Sequence, residues 1–591
     1  MCNRTHWRAA VTLAWWLAAA GIAPVPASAA PVRLVQQPPA AVTTVAPGVV
    51  LVDFGRVAFG NLRLLPPAGA SGTVTVHFGE ALADGRVNRT PPGSVRYSMA
   101  RAALAGAAPV VAAPPPDVRN TRQPAAVLTP PEWGVVTPFR WVEIEGWPGE
   151  LLADHVRRQA AFASTWDDDA SAFASSDALL DRIWELCRYS IKATTFAGVY
   201  VDGDRERIPY EADAYLNQLS HYAVDRDVQM ARDTFDRLMA QPTWPTEWAF
   251  HMIFMAHADW MHTGDLGWLA ARYDALKPKL LLGRARADGL LVSGEAQRTR
   301  EDIVDWPAGE RDGFVFTPVN TVVNAFHIRA LALMAELADA VGRSGDAASY
   351  RARERQAREA FQRALFDPAR GLYRDGEGTD HVSLHANLFP LAFGLVPHAH
   401  AAAVSAWLAG RGMACSVYAA QYLLEGLFEQ GAGAEALALM TAPTDRSWRH
   451  MLESGTTITW EAWDQQYKPN QDWNHAWGAA PANILPRFVL GARPLAPGWR
   501  RARIKPVPGT LTRAEGVVPT PRGPIRVEWT GGERFALTIA LPAAMSAAIE
   551  LPAAPGSRGV YSGGKPLRAR RSGDRWVLDE DVAGTVTLEV R

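Results

Sequence analysis

The chain has 591 residues, 48% of them apolar and 20% charged, which is too long for one ordinary domain and too apolar for a disordered chain. Lys and Arg number 60 against 61 Asp and Glu, a formal net charge of −1, so there is no cationic excess to hold a nucleic-acid backbone and no such partner is expected. The 22 tryptophans point elsewhere, because a flat apolar indole suits the stacking of rings, sugar rings included.

Residues 1–29 read as an address rather than as structure. Arg4 and Arg8 open them, an apolar stretch runs from Ala9 to Ala23, and Ala27-Ser28-Ala29 is a small-residue cleavage signature. An exported protein, periplasmic or extracellular, is expected. The apolar stretch is short of the roughly 20 residues that span a bilayer, and no later run reaches that length, so no membrane span is expected once the signal is removed. Cys187 and Cys415 sit in apolar helical contexts and read as buried free thiols.

Residues 30–165 read as an N-terminal β-sandwich. Val49–Phe54, Thr73–Phe78 and Phe139–Glu145 alternate apolar and polar side chains, while Ala105–Pro116, ending in three prolines, reads as a loop. Near Ser175 the period changes. Leu179, Leu180, Ile183, Trp184 and Cys187 fall at helical spacing behind Ser176 or Asp177 as N-cap. Helical segments recur over residues 170–492, clearest at 228–239, 248–262, 266–282, 320–341, 346–365, 402–408 and 419–428. Ten to twelve helices joined as antiparallel pairs suggest a toroid of hairpins around a central cavity. Strands return over 493–591, at Ile525–Trp529, Phe535–Ile539 and Thr585–Val590, as a second, smaller β-sandwich.

Two polar-aromatic stretches in the helical part could carry chemistry. Val201–Asp213 packs Asp202, Asp204, Glu206, Glu211 and Asp213 around Arg205 and Arg207, with Pro209 marking a loop that enters a helix near Tyr210. A solvated charged loop is the plain alternative. Interleaved Tyr200, Ile208, Tyr210 and Tyr215 argue for a partly buried setting, where carboxylates shift one another's pKa. Gly455–Asp464 and Asp472–Trp477 interleave Trp460, Trp463, Trp473 and Trp477 with Glu461, Asp464, Asp472, Asn474 and His475. Indole faces suit sugar C–H surfaces, and the polar groups suit hydroxyls. An aromatic core patch is the alternative there. Two carboxylates facing one cavity are the minimum equipment for cleaving a glycosidic bond, one as acid and one as base or nucleophile, and neither role needs a metal or cofactor. The chain contains no HExxH, CxxC pair, G-x-S-x-G elbow or Walker-type loop.

At these residues the chain resembles bacterial α-L-rhamnosidases of glycoside hydrolase family 78, over nearly all of its length after residue 29. Asp53-Phe54-Gly55, Val74–Leu82 and Trp141–Pro148 resemble that family's N-terminal β-domain; Pro497-Gly498-Trp499, Ile504-Lys505-Pro506 and Thr520–Ile525 resemble its C-terminal one. The helices between would form its (α/α)₆ barrel. The resemblance implies Glu206, seven residues before Asp213, as general acid, and Glu461, within Thr-Thr-x-x-Trp-Glu-x-Trp-Asp, as general base of an inverting hydrolase. It also implies sugar contacts from Asp202, Arg205, Tyr210, Asp213, Trp248, Asp305, Trp306, Trp460, Trp463 and His475. Asp202-Gly203-Asp204-Arg205 is shorter than the family's Asp-Cys-Pro-Gln-Arg, and Ile208–Asp213 replaces its Gly-Trp-x-Gly-Asp. Such changes reshape a subsite by about an ångström, enough to alter which sugar fits. A rhamnosylated glycoside or polysaccharide is thus the expected substrate. A related barrel enzyme for another sugar or uronic acid, by hydrolysis or elimination, and a non-catalytic carbohydrate binder are the alternatives. The sequence does not address oligomeric state.

Overall fold

The computed structural model describes residues 31–121, 126–554 and 556–591, so the expected export signal lies outside the described residues. A β domain, a helical domain and a second β domain follow in chain order. The first is built on one eight-stranded sheet. Val49–Leu64 pairs on one side with Val156–Ala163 and on the other with Thr137–Glu145, which pairs in turn with Ser71–Gly79. A register shift between Asp53 and Ala58 bends the long strand, as an extra residue in a ladder does, and the sheet closes on a core that includes Phe54, Leu62, Val76, Phe78, Phe139 and Ile144. The segment expected as a loop, 105–116, contributes a short strand. Val110–Ala112 pairs with Leu62–Leu64, since the N–H groups before the prolines are free to join a ladder.

The helical domain is a closed ring of hairpins. Glu211–Val224, Thr246–Thr263, Thr321–Ala340, His385–Ala392, Val417–Glu429 and Pro481–Ile484 pack in succession, and the last returns to the first. Gln229–Ala240, Leu266–Leu276, Ser344–Leu365, His398–Arg411 and Gly433–Thr441 alternate with them outside. Local signals set the ends. Asp177 Oδ1 accepts from Leu179 N (2.9 Å) to start Ala178–Ala193, Asn320 and Ser416 cap the helices that follow them, and Gly264 at φ 72° ends Thr246–Thr263. The helix His385–Ala392 escapes periodicity because Pro390 lies inside it. Among the described residues one helix, Thr321–Ala340, is long and apolar enough to cross a membrane, and it is buried in the ring. Cys187 and Cys415 are buried and free, with burial pushing both thiols up.

The last domain borrows a strand from the chain ahead of the ring. Ala172–Ser175, assigned above to the helical domain, is the edge strand of the C-terminal sheet, antiparallel to Arg513–Val518 from Ala172↔Val517 to Ser175↔Ala514. Four residues are too few for a period-two pattern to stand out. That sheet continues through Ile525–Thr530, Phe535–Ala540 and Thr585–Val590.

Candidate active site

The first polar stretch folds into a closed loop over residues 202–208. Asp202 N donates to Ile208 O and Ile208 N to Asp202 Oδ1, both at 3.0 Å. Gly203 makes the turn at φ 106°. A Cβ there would lie 2.9 Å from Asn474 Oδ1 and 3.0 Å from Asp472 Oδ2, so the loop needs glycine for both conformation and space. The second stretch doubles back on itself. Glu461 N donates to Asp472 O (3.1 Å), Asp472 N to Glu461 Oε2 (3.1 Å) and His475 N to Thr459 O (2.9 Å).

The β domain braces both loops from behind. Buried Asp204 lies between Arg96 (Nε to Oδ2, 2.6 Å) and Arg207 (Nη2 to Oδ1, 2.6 Å). Burial alone would raise the Asp204 carboxyl, but those two charges outweigh it and hold it well below the usual range. Asn474 receives Asp204 N at its Oδ1 (2.8 Å) and donates Nδ2 to Glu80 (2.9 Å). Val57 N donates to Thr457 Oγ1 (2.8 Å). Three elements remote in sequence thus meet behind one wall.

In front of it lies a pocket of about 80 Å³. Asp202, Arg205, Glu206, Tyr210, Asp213, Trp248, Trp306, Glu461 and His475 line it, nine of the twelve residues expected there. Arg205 ties the two expected acids together, with Nη1 donating to Glu206 Oε1 (2.5 Å) and Nη2 to Glu461 Oε1 (2.7 Å). Tyr210 OH donates to Glu206 Oε2 (2.7 Å), and Lys468 Nζ stands 3.3 Å from Glu461. The acids differ in access. The Glu206 side chain is 27% exposed and that of Glu461 only 2%. His475 Nε2 lies 2.6 Å from Asp213 Oδ1.

Burial, then the Glu206 charge, then Asp472 push the Asp202 carboxyl well up. Burial and the Glu461 charge do the same to Asp472. Asp213 is raised by burial against the lowering effect of His475. Burial, with Asp202 and Glu206, raises Tyr210, which keeps its proton for donation. The pocket therefore sets carboxyls pushed up by burial, Asp202 and Asp213, beside two that bond to a guanidinium, Glu206 and Glu461. One oxygen each of Asp202 and Asp472, the Nδ1 of His475 and the Nε1 of Trp248 are buried with no hydrogen-bond partner among the described residues. Buried polar atoms ordinarily find one, and those of Asp202, His475 and Trp248 belong to residues of the pocket wall, where a polar ligand could supply it. Glu461, Asp472 and His475 bring ligand atoms within 4.8 Å of one another and could hold a cation, but Arg205 and Lys468 already supply positive charge to Glu461.

Three expected contacts lie off the pocket wall. Asp305 is buried and satisfied, with its Oδ2 2.6 Å from His385 Nε2 and 2.9 Å from Ser416 N, so it pins the loop that presents Trp306. Trp463 is fully buried, donates Nε1 to Cys415 O (2.7 Å) and meets Trp448 edge-on at 4.9 Å. Trp460 stacks on Trp473 at 5.0 Å. A buried indole with an apolar neighbour gains more from the core than from a wet pocket. Conversely, Trp244, Ile303 and Trp477 line the pocket and were not expected to. The signal for Trp244 was available, an indole between Pro242 and Pro245 in a turn.

The bacterial alpha-L-rhamnosidase 6 hairpin glycosidase domain matches residues 168–489, more than half of the chain. The concanavalin-like domain of the same enzymes matches 43–107, and their C-terminal domain 491–565. An alpha-L-rhamnosidase of Streptomyces avermitilis is 24% identical over 572 residues, covering 91% of this chain and 52% of that protein. One from an Alteromonas species is 27% identical over 252 residues, 40% of this chain and 27% of that protein. The chain thus spans about half the length, or less, of these curated relatives. In fold it matches the Streptomyces avermitilis alpha-L-rhamnosidase complexed with L-rhamnose (TM-score 0.76, 20% identity, 96% of this chain and 54% of that one). It also matches the alpha-L-rhamnosidase of Dictyoglumus thermophilum (TM-score 0.78, 18% identity, 95% and 64%). The chain belongs to the bacterial alpha-L-rhamnosidase six-hairpin glycosidase family.

Proposed function

We propose that this protein is an exported glycoside hydrolase that removes terminal α-L-rhamnose with inversion. The observation that carries the reading is one guanidinium, Arg205, bonded to Glu206 and Glu461 at the wall of one small pocket. A terminal sugar enters with its leaving oxygen toward the opening. Of the two acids, Glu206 is the more exposed and Glu461 the deeper, which suits Glu206 to protonate the leaving oxygen and Glu461 to take a proton from the attacking water. Tyr210 orients Glu206 through its hydroxyl. Lys468 and Arg205 hold the Glu461 side chain in place. Asp202, Asp213 and His475, all in the pocket wall, would hold ring hydroxyls.

Purified Glu206→Gln and Glu461→Gln assayed on a rhamnosyl disaccharide test the roles. Both variants should lose activity by about 10²–10⁴-fold. Wild-type turnover in either removes its residue from the mechanism. Proton NMR of the first product decides the stereochemistry: β-L-rhamnose supports inversion, and α-L-rhamnose refutes it. A product absorbing in the ultraviolet would instead mean elimination. Export is supported by the pattern of residues 1–29, and N-terminal sequencing of the secreted protein should begin at Ala30.

A further inference from the structure

Trp244 is the one tryptophan, tyrosine or phenylalanine side chain among the described residues that is exposed, at 50%, and it lines the candidate active-site pocket. No hydrogen bond or ring contact within the described residues engages its indole. Its backbone is nonetheless fixed. Thr243, the preceding residue, donates N to Glu211 Oε1 (2.9 Å) and its hydroxyl to Glu211 Oε2. Glu211 is buried at the start of the helix that carries Asp213, immediately after Tyr210. Pro242 and Pro245 stiffen the turn on either side. What sets this indole apart from an ordinary exposed apolar side chain is its place in the pocket lining, where a flat apolar face held on so constrained a turn can stack against a ring. Burial also sets an order within the pocket. Glu461, Asp202, Asp213 and His475 are buried at its floor, Glu206, Tyr210 and Trp306 are half-buried, and Trp244 is the most exposed. Trp244 therefore stands at the mouth, beyond the acid that faces the leaving oxygen.

We infer that Trp244 is the platform on which the leaving group stacks, and that the enzyme selects rhamnosides whose aglycone is a flat ring. The inference rests on the hydrolase reading above. The shared chemistry is a planar face of C–H or π character, supplied either by an aromatic aglycone or by the next sugar of a glycan. On this reading Trp244 meets the leaving group rather than the terminal sugar, so its removal should leave binding of the terminal sugar intact.

The test compares wild type, Trp244→Ala and Trp244→Phe on 4-nitrophenyl α-L-rhamnoside and on a rhamnosyl-glucose disaccharide, with competitive inhibition by free L-rhamnose as the measure of the sugar subsite alone. Trp244→Ala should lower kcat/KM on one or both ring aglycones by roughly three- to tenfold, Trp244→Phe should recover most of it, and the inhibition constant of L-rhamnose should be unchanged. A loss confined to the nitrophenyl substrate identifies an aromatic aglycone, and one confined to the disaccharide a glycan. Unchanged kcat/KM on both substrates overturns the platform, as does an equal weakening of L-rhamnose inhibition. Wild type that releases rhamnose from neither substrate overturns the hydrolase reading, and the platform falls with it. Because the side chain is exposed, an unaltered melting temperature in Trp244→Ala separates lost stacking from lost fold.

Discussion

Arg205 lies 2.7 Å from Glu461, although 256 positions separate them, and its other nitrogen lies 2.5 Å from the adjacent Glu206. A planar fork reaches both carboxylates at once, whereas an ammonium is a single point. Arg205→Lys should therefore lower kcat by about 100-fold, the scale of one lost electrostatic contact in an active site, with the fold retained. Turnover within a factor of three of wild type would show that the bridge is incidental.

The role of Glu206 can be separated from mere positioning by the leaving group. A 2,4-dinitrophenolate departs without a proton, while an alkoxide or sugar does not. Glu206→Gln should cost about 10²–10⁴-fold on a disaccharide and far less, about tenfold, on the dinitrophenyl rhamnoside. Equal losses on the two substrates would assign Glu206 a binding role instead.

Gly203 combines a left-handed backbone with crowding by Asn474 and Asp472. Gly203→Ala should shift the loop that carries Arg205 and Glu206, costing about 1–3 kcal/mol of local strain and about tenfold or more in kcat. Circular dichroism would remain native. Full activity in this variant would mean that the loop has slack which the contacts deny.

The brace behind the site has a pH signature. Burial pushes the Glu80 carboxyl up to about 7 from its ordinary 4.5, so the folded chain holds that proton more tightly than the unfolded chain does. Its contribution to stability is complete below about 4.5 and fades as the pH rises through 7. Asp204 has the opposite sign. Its depressed pKa stabilises above the ordinary 3.8 and is lost as the pH falls below that value. Glu80→Gln removes the first effect only. The melting temperature of Glu80→Gln relative to wild type should rise between pH 5 and pH 8, and a constant difference over that range would contradict the assignment.

Much of the site was legible because its residue types are costly to place elsewhere. Carboxylates, arginines and tyrosines packed between apolar residues near a proline suggest a partly buried loop, within which the family resemblance singled out Glu206, Asp202 and Tyr210, and all three line the pocket. Trp460 and Trp463 show the limit. An indole in a motif has the same letters whether it faces a sugar or a core, and only the carbonyl of Cys415, found by the fold, decides for Trp463. Asp305 fails for a similar reason, since its partners His385 and Ser416 lie 80 and 111 positions away. The hairpin ring was readable from helical periodicity, whereas the strand Ala172–Ser175 was too short to register and its pairing spans the whole helical domain.

That strand also limits how the protein can be taken apart. Because Ala172–Ser175 precedes the ring and Arg513–Val518 follows it, a truncation at the helical boundary near residue 491 would strip Phe173 of its sheet and bare a sticky edge. The C-terminal sheet is thus no interchangeable cassette. A chimaera that exchanges it with a relative must carry the four-residue clasp from the far side of the ring, or it will inherit a mismatched seam.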